Sequence, residues 1–246
     1  MSQTWNAADY AANARFVSDL GQPVLDLLAP RPGERILDVG CGDGALTARL
    51  VEAGATVVGA DPAPDLVAAA VARGIDARLL DAQSLRFERE FDAVFTNAVL
   101  HWIPDLDAAL RGIHHALKSG GRFVGECGGH GNVAAMSTAL QAVARRHGVR
   151  AHMPWQYPTP ADFSRRLVAA GFTPVSVELI PRPTPLPSGM AAWLRTFAGP
   201  IFEQLPAEAR ERAVDETVDL LRWSLCDERG QWSADYVRLR FAARLP

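Results

Sequence analysis

Apolar positions along the chain follow two rhythms, one with the spacing of helices and one with that of short strands. Val17 to Leu28 carries apolar residues at helical spacing and is cut off by Pro30 and Pro32. From Glu34 an apolar run predicts a strand ending at Asp38, and a helix over Ala45 to Ala53 follows. Strand and helix then alternate. Ala55 to Ala60 reads as a strand, Pro64 to Arg73 as a helix, Ala77 to Leu80 as a short strand and Phe91 to Thr96 as a buried strand. A helix over Leu106 to Leu117 is expected to stop at Lys118-Ser119-Gly120-Gly121, with Lys118 at the helix C-terminus, and Arg122 to Cys127 forms the fifth strand.

Beyond this point the pattern changes. Val133 to His147 reads as an extra amphipathic helix, and Pro154 to Pro160 breaks the chain. Thr159 and Pro160 are a good N-cap and first position for a helix that ends at Gly171, before a sixth strand over Phe172 to Ile180. Pro181 to Pro187 leads away from the sheet into helices over Gly189 to Glu203 and Pro206 to Leu225. Ser233 to Leu245 sets Tyr236, Arg238 and Arg240 against Val237, Leu239 and Phe241, which predicts a closing strand. The sum is an α/β chain with seven strands.

A length of 246 residues suits one sizeable α/β domain with insertions, so a single core is expected. A net charge of −3 offers no electrostatic footprint for nucleic acid, which disfavours a DNA or RNA substrate. No apolar stretch approaches the roughly 20 residues that span a bilayer, and the N-terminus has neither a basic start nor an apolar centre. A cytoplasmic protein without membrane contact is the expectation. Cys41, Cys127 and Cys226 lie far apart with no His at ligand spacing, so reduced thiols and no metal site are expected. Cys41 sits in a glycine turn where a small side chain is wanted, which favours packing over reactivity.

The candidate chemistry centres on that turn. Asp38 ends the first strand, and Gly40, Gly42 and Gly44 follow it and open a helix. Glycines belong where the backbone turns sharply and approaches a bound nucleotide-like molecule. Gly40, Gly42 and Ala45 also fit the Gly-x-Gly-x-x-Gly/Ala spacing of dinucleotide binders, so a nicotinamide oxidoreductase is one alternative. Asp61, in the turn Asp61-Pro62 after the second strand, suits a ribose, because a carboxylate accepts two hydrogen bonds from a vicinal diol.

The Asp38 to Gly44 stretch resembles the first motif of the class I S-adenosylmethionine (SAM) dependent methyltransferases. A carboxylate beside the first glycine offers nothing to a pyrophosphate but attracts the cationic amino group of SAM. Asn97-Ala-Val-Leu-His101-Trp102-Ile-Pro-Asp105 is similar to the end of the fourth strand in the trans-aconitate methyltransferase-like branch. The opening Trp5-Asn-x-x-x-Tyr10 resembles the N-terminal cap of that branch, and anchoring of a terminal segment on the core is the competing reading.

The resemblance implies a Rossmann-like seven-stranded sheet flanked by helices, with the last strand antiparallel and helical insertions forming an acceptor cover. It divides 1–246 into an N-terminal cap and first helix (1–30), a SAM-binding core (33–127), cover segments (128–158 and 185–231) and a closing strand (233–246). Asp38, Gly40, Gly42, Asp61, Pro62, Asp81, Ala82, Asn97 and Tyr10 become candidate SAM ligands, with the Asp81-Ala82 pair on adenine. Trp102, Trp5, Arg182 and Arg195 become candidate acceptor contacts, and His101 and His130 candidate bases. A non-catalytic SAM-binding module is the remaining alternative. The acceptor implied is a small molecule, with a carboxylate or hydroxyl oxygen favoured.

Overall fold

The computed structural model describes residues 20–246. These divide into two compact units, the first made of residues 20–130, 156–180 and 238–246 and the second of 131–155 and 181–237. Trp5 and Tyr10 lie outside the described residues.

The first unit carries, in chain order, α1 (Gln22–Leu28), β1 (Arg35–Val39), α2 (Thr47–Glu52), β2 (Thr56–Asp61), α3 (Pro64–Ala72), β3 (Asp76–Leu79), β4 (Phe91–Asn97), α4 (Leu106–Ala116) and β5 (Leu117–Gly128). It also holds the helix that starts at Pro160, β6 (Thr173–Pro181) and the last strand, β9 (Val237–Arg244). Its seven strands lie in the order β3-β2-β1-β4-β5-β9-β6. β1 to β5 pair in parallel with one another, whereas β9 runs antiparallel to β5.

Both faces of the sheet are covered, which is why β1, β2 and β4 read as near-continuous apolar runs. Alternate residues serve opposite cores. Leu37, Val58 and Val94 pack with Leu110 and Ile113 of α4 and with Phe163 and Leu167, while Ile36, Val57 and Phe95 pack with Val24 and Leu28 of α1 and Leu50 of α2. The switch at β1 from Ile36 to Leu37 thus divides one apolar run between two layers.

One expected boundary moves. α4 stops at Ala116 and β5 begins at once with Leu117 opposite Phe91. Register then shifts before Ala93 pairs with Arg122, so Lys118 to Gly121 form an irregularity inside a strand rather than a helix stop. Lys118 binds Asp92 at 2.7 Å instead of serving the helix end. By contrast Thr159 caps its helix as expected, its hydroxyl accepting from Asp162 N–H at 3.2 Å.

The second unit contains α5 (Ala134–Arg146), α7 (Gly189–Phe197), α8 (Gly199–Phe202) and α9 (Arg210–Leu225), with α6 being the Pro160–Ala169 helix of the first unit. β7 (Thr184–Pro185) and β8 (Ser233–Ala234) form a two-stranded ribbon, so the expected closing strand over 233–245 is split. The split falls at Asp235 and Tyr236. The Asp235 carboxylate accepts from Ala135 N–H at the start of α5, and Tyr236 Oη lies 2.6 Å from Trp193 Nε1, which donates to it. Among the described residues no helix is long and apolar enough to cross a membrane.

Candidate active site

The carboxyl ends of β1 and β2 are tied together by the glycine turn. Gly40 N–H donates to Ala60 O at 2.7 Å and Cys41 N–H to the same oxygen at 3.3 Å. Gly40 has φ +77°, and a Cβ there would overlap the Val99 side chain, so both backbone and space demand glycine. Cys41 packs on Gly59, where an added Cβ would sit 2.7 Å from its sulfur. Burial raises its thiol pKa, in keeping with a packing role.

Two carboxylates converge on this turn. Asp38 is 2% exposed and accepts a 2.6 Å hydrogen bond from Thr47 Oγ1 in the first turn of α2. Burial pushes its pKa up to about 7, with the Asp61 charge adding and the Thr47 hydroxyl opposing. Asp61 is 6% exposed and accepts from Gly42 N–H at 3.0 Å on Oδ2 and from Ala63 N–H at 2.9 Å on Oδ1. Burial raises its pKa against those two bonds. Asp81 is exposed, and its carboxylate caps a short turn through Gln83 N–H at 2.9 Å, while Ala82 is buried.

β4 ends in a bent segment. Asn97 is half-buried, and Ala98 adopts the left-handed region at φ +61° with its N–H donating to Glu126 O. His101 follows in a single helical turn, 7% exposed, with its ring 5.6 Å from Trp102 and 5.8 Å from Tyr157. Its Nδ1 accepts from Gly128 N–H at 3.1 Å, so the neutral ring carries its proton on Nε2. Burial, with the Arg238 charge next in importance, holds its pKa well below the usual histidine value.

The structure therefore brings Asp38, Gly40, Gly42 and Asp61 to one turn: Gly42 N–H bonds Asp61 directly, Gly40 N–H bonds the residue before Asp61, and the Asp38 and Asp61 carboxylates are near enough for their charges to repel. It sets His101 against the end of β5. His130 has an exposed side chain, and its N–H donates to Pro158 O. Arg182 and Arg195 belong to the second unit. Arg195 is exposed and paired with Glu211 at 2.8 Å, and Arg182 N–H donates to Tyr236 O.

Three residues at these strand ends escape the sequence pattern. Thr47 has no signal beyond its place in the first turn after the glycines. Glu126 and Arg238 are 1% and 3% exposed in strands where alternation alone gives a shared face, not its burial.

Residues 37–125 match the methyltransferase domain model. The chain is 36% identical over 255 residues to an uncharacterized methyltransferase of Schizosaccharomyces pombe, covering 97% of each chain. It is 30% identical over 244 residues to the trans-aconitate 2-methyltransferase of a Mycobacterium species, covering 90% of this chain and 88% of that one. A solved S-adenosylmethionine dependent methyltransferase from Mesorhizobium loti shares the fold, with a TM-score of 0.57, 21% identity and coverage of 91% and 97%. These matches and the antiparallel last strand set the nicotinamide alternative aside. The chain belongs to the class I SAM-dependent methyltransferases, among the homologues of the trans-aconitate enzymes.

Proposed function

We propose that the protein methylates a carboxylate oxygen of a small organic acid, with Asp38, Gly40, Gly42 and Asp61 as the core of the SAM site. The residues suit that molecule chemically. Asp38 is a buried carboxylate at the end of a strand, and a ligand ammonium would relieve the burial of its charge. Each Asp61 oxygen accepts one backbone N–H and keeps a lone pair, so the two together suit the two hydroxyls of a ribose. Asp81 and Ala82 would serve the adenine, and Asn97 and Trp102 the methyl end of the site.

When bound, SAM supplies an already electrophilic methyl group. The chain's own residues then have to orient the acceptor and exclude water. A carboxylate is ionised at neutral pH, so no residue has to remove a proton before transfer. A hydroxyl or amine acceptor would need one.

The single observation that carries the carboxylate reading is the state of His101. Its Nδ1 is occupied by Gly128 N–H and its basicity is depressed, so the ring is a donor rather than a base. The name of the mycobacterial relative supports the same acceptor class.

The test is incubation of the full chain with methyl-labelled SAM and trans-aconitate. A base-labile methyl ester is expected. Absence of that ester, with a hydroxyl or amine acceptor methylated instead and that turnover lost in His101→Ala or His130→Ala, would refute the carboxylate reading. In parallel, Asp61→Ala should weaken S-adenosylhomocysteine binding by about 1.5 to 3 kcal/mol, the range of hydrogen bonds to charged groups. Unchanged affinity in the folded variant would remove Asp61 from the site.

A further inference from the structure

The ends of β2 and β3 are joined through the backbone. Leu79 pairs with Asp61, and Leu80 N–H donates to Asp61 O at 3.1 Å. Asp81 therefore comes two residues beyond the partner of the proposed ribose acid, where the base of the same nucleoside would extend. Most of its carboxylate is taken up by one neighbour. Oδ1 accepts from Gln83 N–H at 2.9 Å and from Gln83 Nε2 at 3.1 Å, and Oδ2 accepts from the same Nε2 at 3.1 Å. A carboxylate offers about two acceptor positions on each oxygen, so one position on Oδ2 is left for a single N–H donor.

Gln83 is committed on its other side as well. Its Oε1 accepts from Asp105 N–H at 3.0 Å, 22 residues along the chain. Asp105 closes the stretch that begins at Asn97 and carries His101 and Trp102, and its carboxylate caps α4 by accepting from Ala108 N–H at 2.9 Å. Gln156 holds the same stretch from another segment. Its N–H donates to His101 O at 2.9 Å, and its Nε2 donates to Ile103 O at 3.2 Å and Pro104 O at 2.8 Å. α4 also packs closely on the turn after Asp81, since a Cβ at Gly112 would stand 3.2 Å from the Leu85 side chain and 3.6 Å from Ala82 O. Gln83 requires an amide to make these bonds. The Asp81 carboxylate needs a donor and the Asp105 N–H an acceptor, and an amide carries one of each at a fixed separation.

We propose that Gln83 is a positioning residue that aims the Asp81 carboxylate at the adenine amino group and ties that contact to the acceptor segment, Asn97 to Asp105. The inference rests on the assignment of Asp81 to adenine above and deepens it. With the base in place, the amino N–H takes the remaining position on Oδ2. The Gln83 amide is then fixed between Asp81 and Asp105, and each bond in the chain strengthens the next. Binding of the cofactor thereby steadies the stretch that faces the acceptor.

The experiment compares the full chain as wild type, Gln83→Met and Gln83→Glu. The probes are S-adenosylhomocysteine and its analogue with hydrogen in place of the adenine amino group. By calorimetry the wild type should favour S-adenosylhomocysteine by about tenfold or more, as for a hydrogen bond to a charged group. In Gln83→Met that preference should shrink to about threefold or less, while affinity for the deamino analogue stays within about twofold of wild type. Gln83→Glu keeps an acceptor for Asp105 N–H but sets a carboxylate against Asp81, so it should lose the preference too. Hydrogen exchange over residues 97–105 reads the tie to the acceptor segment without any acceptor present. S-adenosylhomocysteine should slow exchange there by about fivefold in the wild type and by less than about twofold in both variants.

A folded Gln83→Met protein that keeps the wild-type preference would overturn the positioning role and leave Asp81 on the adenine. Equal affinity of the wild type for the two probes would overturn the Asp81 assignment, and the inference with it, whichever acceptor is methylated. A parallel fall for both probes in Gln83→Met would make Gln83 a support of the fold instead. Slowing of exchange over 97–105 that persists in both variants would remove the tie to the acceptor segment. If Gln83→Met does not fold, an undiminished preference in Gln83→Glu overturns the proposal equally.

Discussion

Asp38 gives the proposed cofactor site a signature in pH. Its folded pKa of about 7 stands against an ordinary value of 3.8, and the side chain is buried. If its ionised form receives the ligand ammonium, binding must first remove the proton. For a pKa of about 7, the dissociation constant of S-adenosylhomocysteine should rise by about 25-fold from pH 7.5 to pH 5.5, and about 0.8 proton should be released per binding event at pH 6.5. Thr47→Val deletes the 2.6 Å hydrogen bond that favours the charged form. A charge-assisted bond of about 1.5 to 3 kcal/mol corresponds to about 1 to 2 pH units, so the variant should bind about 3- to 25-fold more weakly at pH 7.5.

Stability carries the opposite sign. The Asp38 pKa is raised on folding, so its contribution is full below the unfolded value of 3.8 and is lost as pH rises through about 7. The loss amounts to about 4 kcal/mol across that window, and Asp61, also raised, acts in the same direction. The cofactor-loaded protein should show less of this loss. Isothermal calorimetry in two buffers of different ionisation enthalpy reads affinity and proton release together. Affinity independent of pH, with no proton released, would refute the pairing of Asp38 with the ligand ammonium.

Two further substitutions test the frame around the site. Gly40→Ala should lower stability and S-adenosylhomocysteine affinity, since the new Cβ meets Val99 at a left-handed φ of +77°. The double change with Val99→Ala should restore only the part due to overlap, as thermal melts would report, and full recovery would show that the backbone angle carries no cost. Glu126→Gln removes the charge that faces Arg240 in a residue 1% exposed. Denaturant unfolding should show a loss of about 3 kcal/mol or more, and a loss below about 1 kcal/mol would mean that the pair is not held in a desolvated setting.

The local patterns of the chain determine its strands, helices and turn. Ile36, Leu37 and Val39 form a strand because their apolar run is short and ends in an acid and glycines, and Asp61 lands at the end of β2 by the same rule. Thr159 caps its helix because the signal lies within four residues. Such readings depend only on neighbours in sequence.

Contacts across the fold decided the rest. Thr47 reaches Asp38 over nine positions, Gly42 reaches Asp61 over 19, and Val99 fills the space above Gly40. Lys118 looks like a helix cap until Asp92 of β4 comes beside it. Arg238 and Arg240 alternate as a solvent-facing pair would, because a period of two assigns residues to a face without saying what covers it. The pairing with β5 sets Arg240 against Glu126 and Arg238 against the residue that holds His101, and so turned a polar stripe into buried charge.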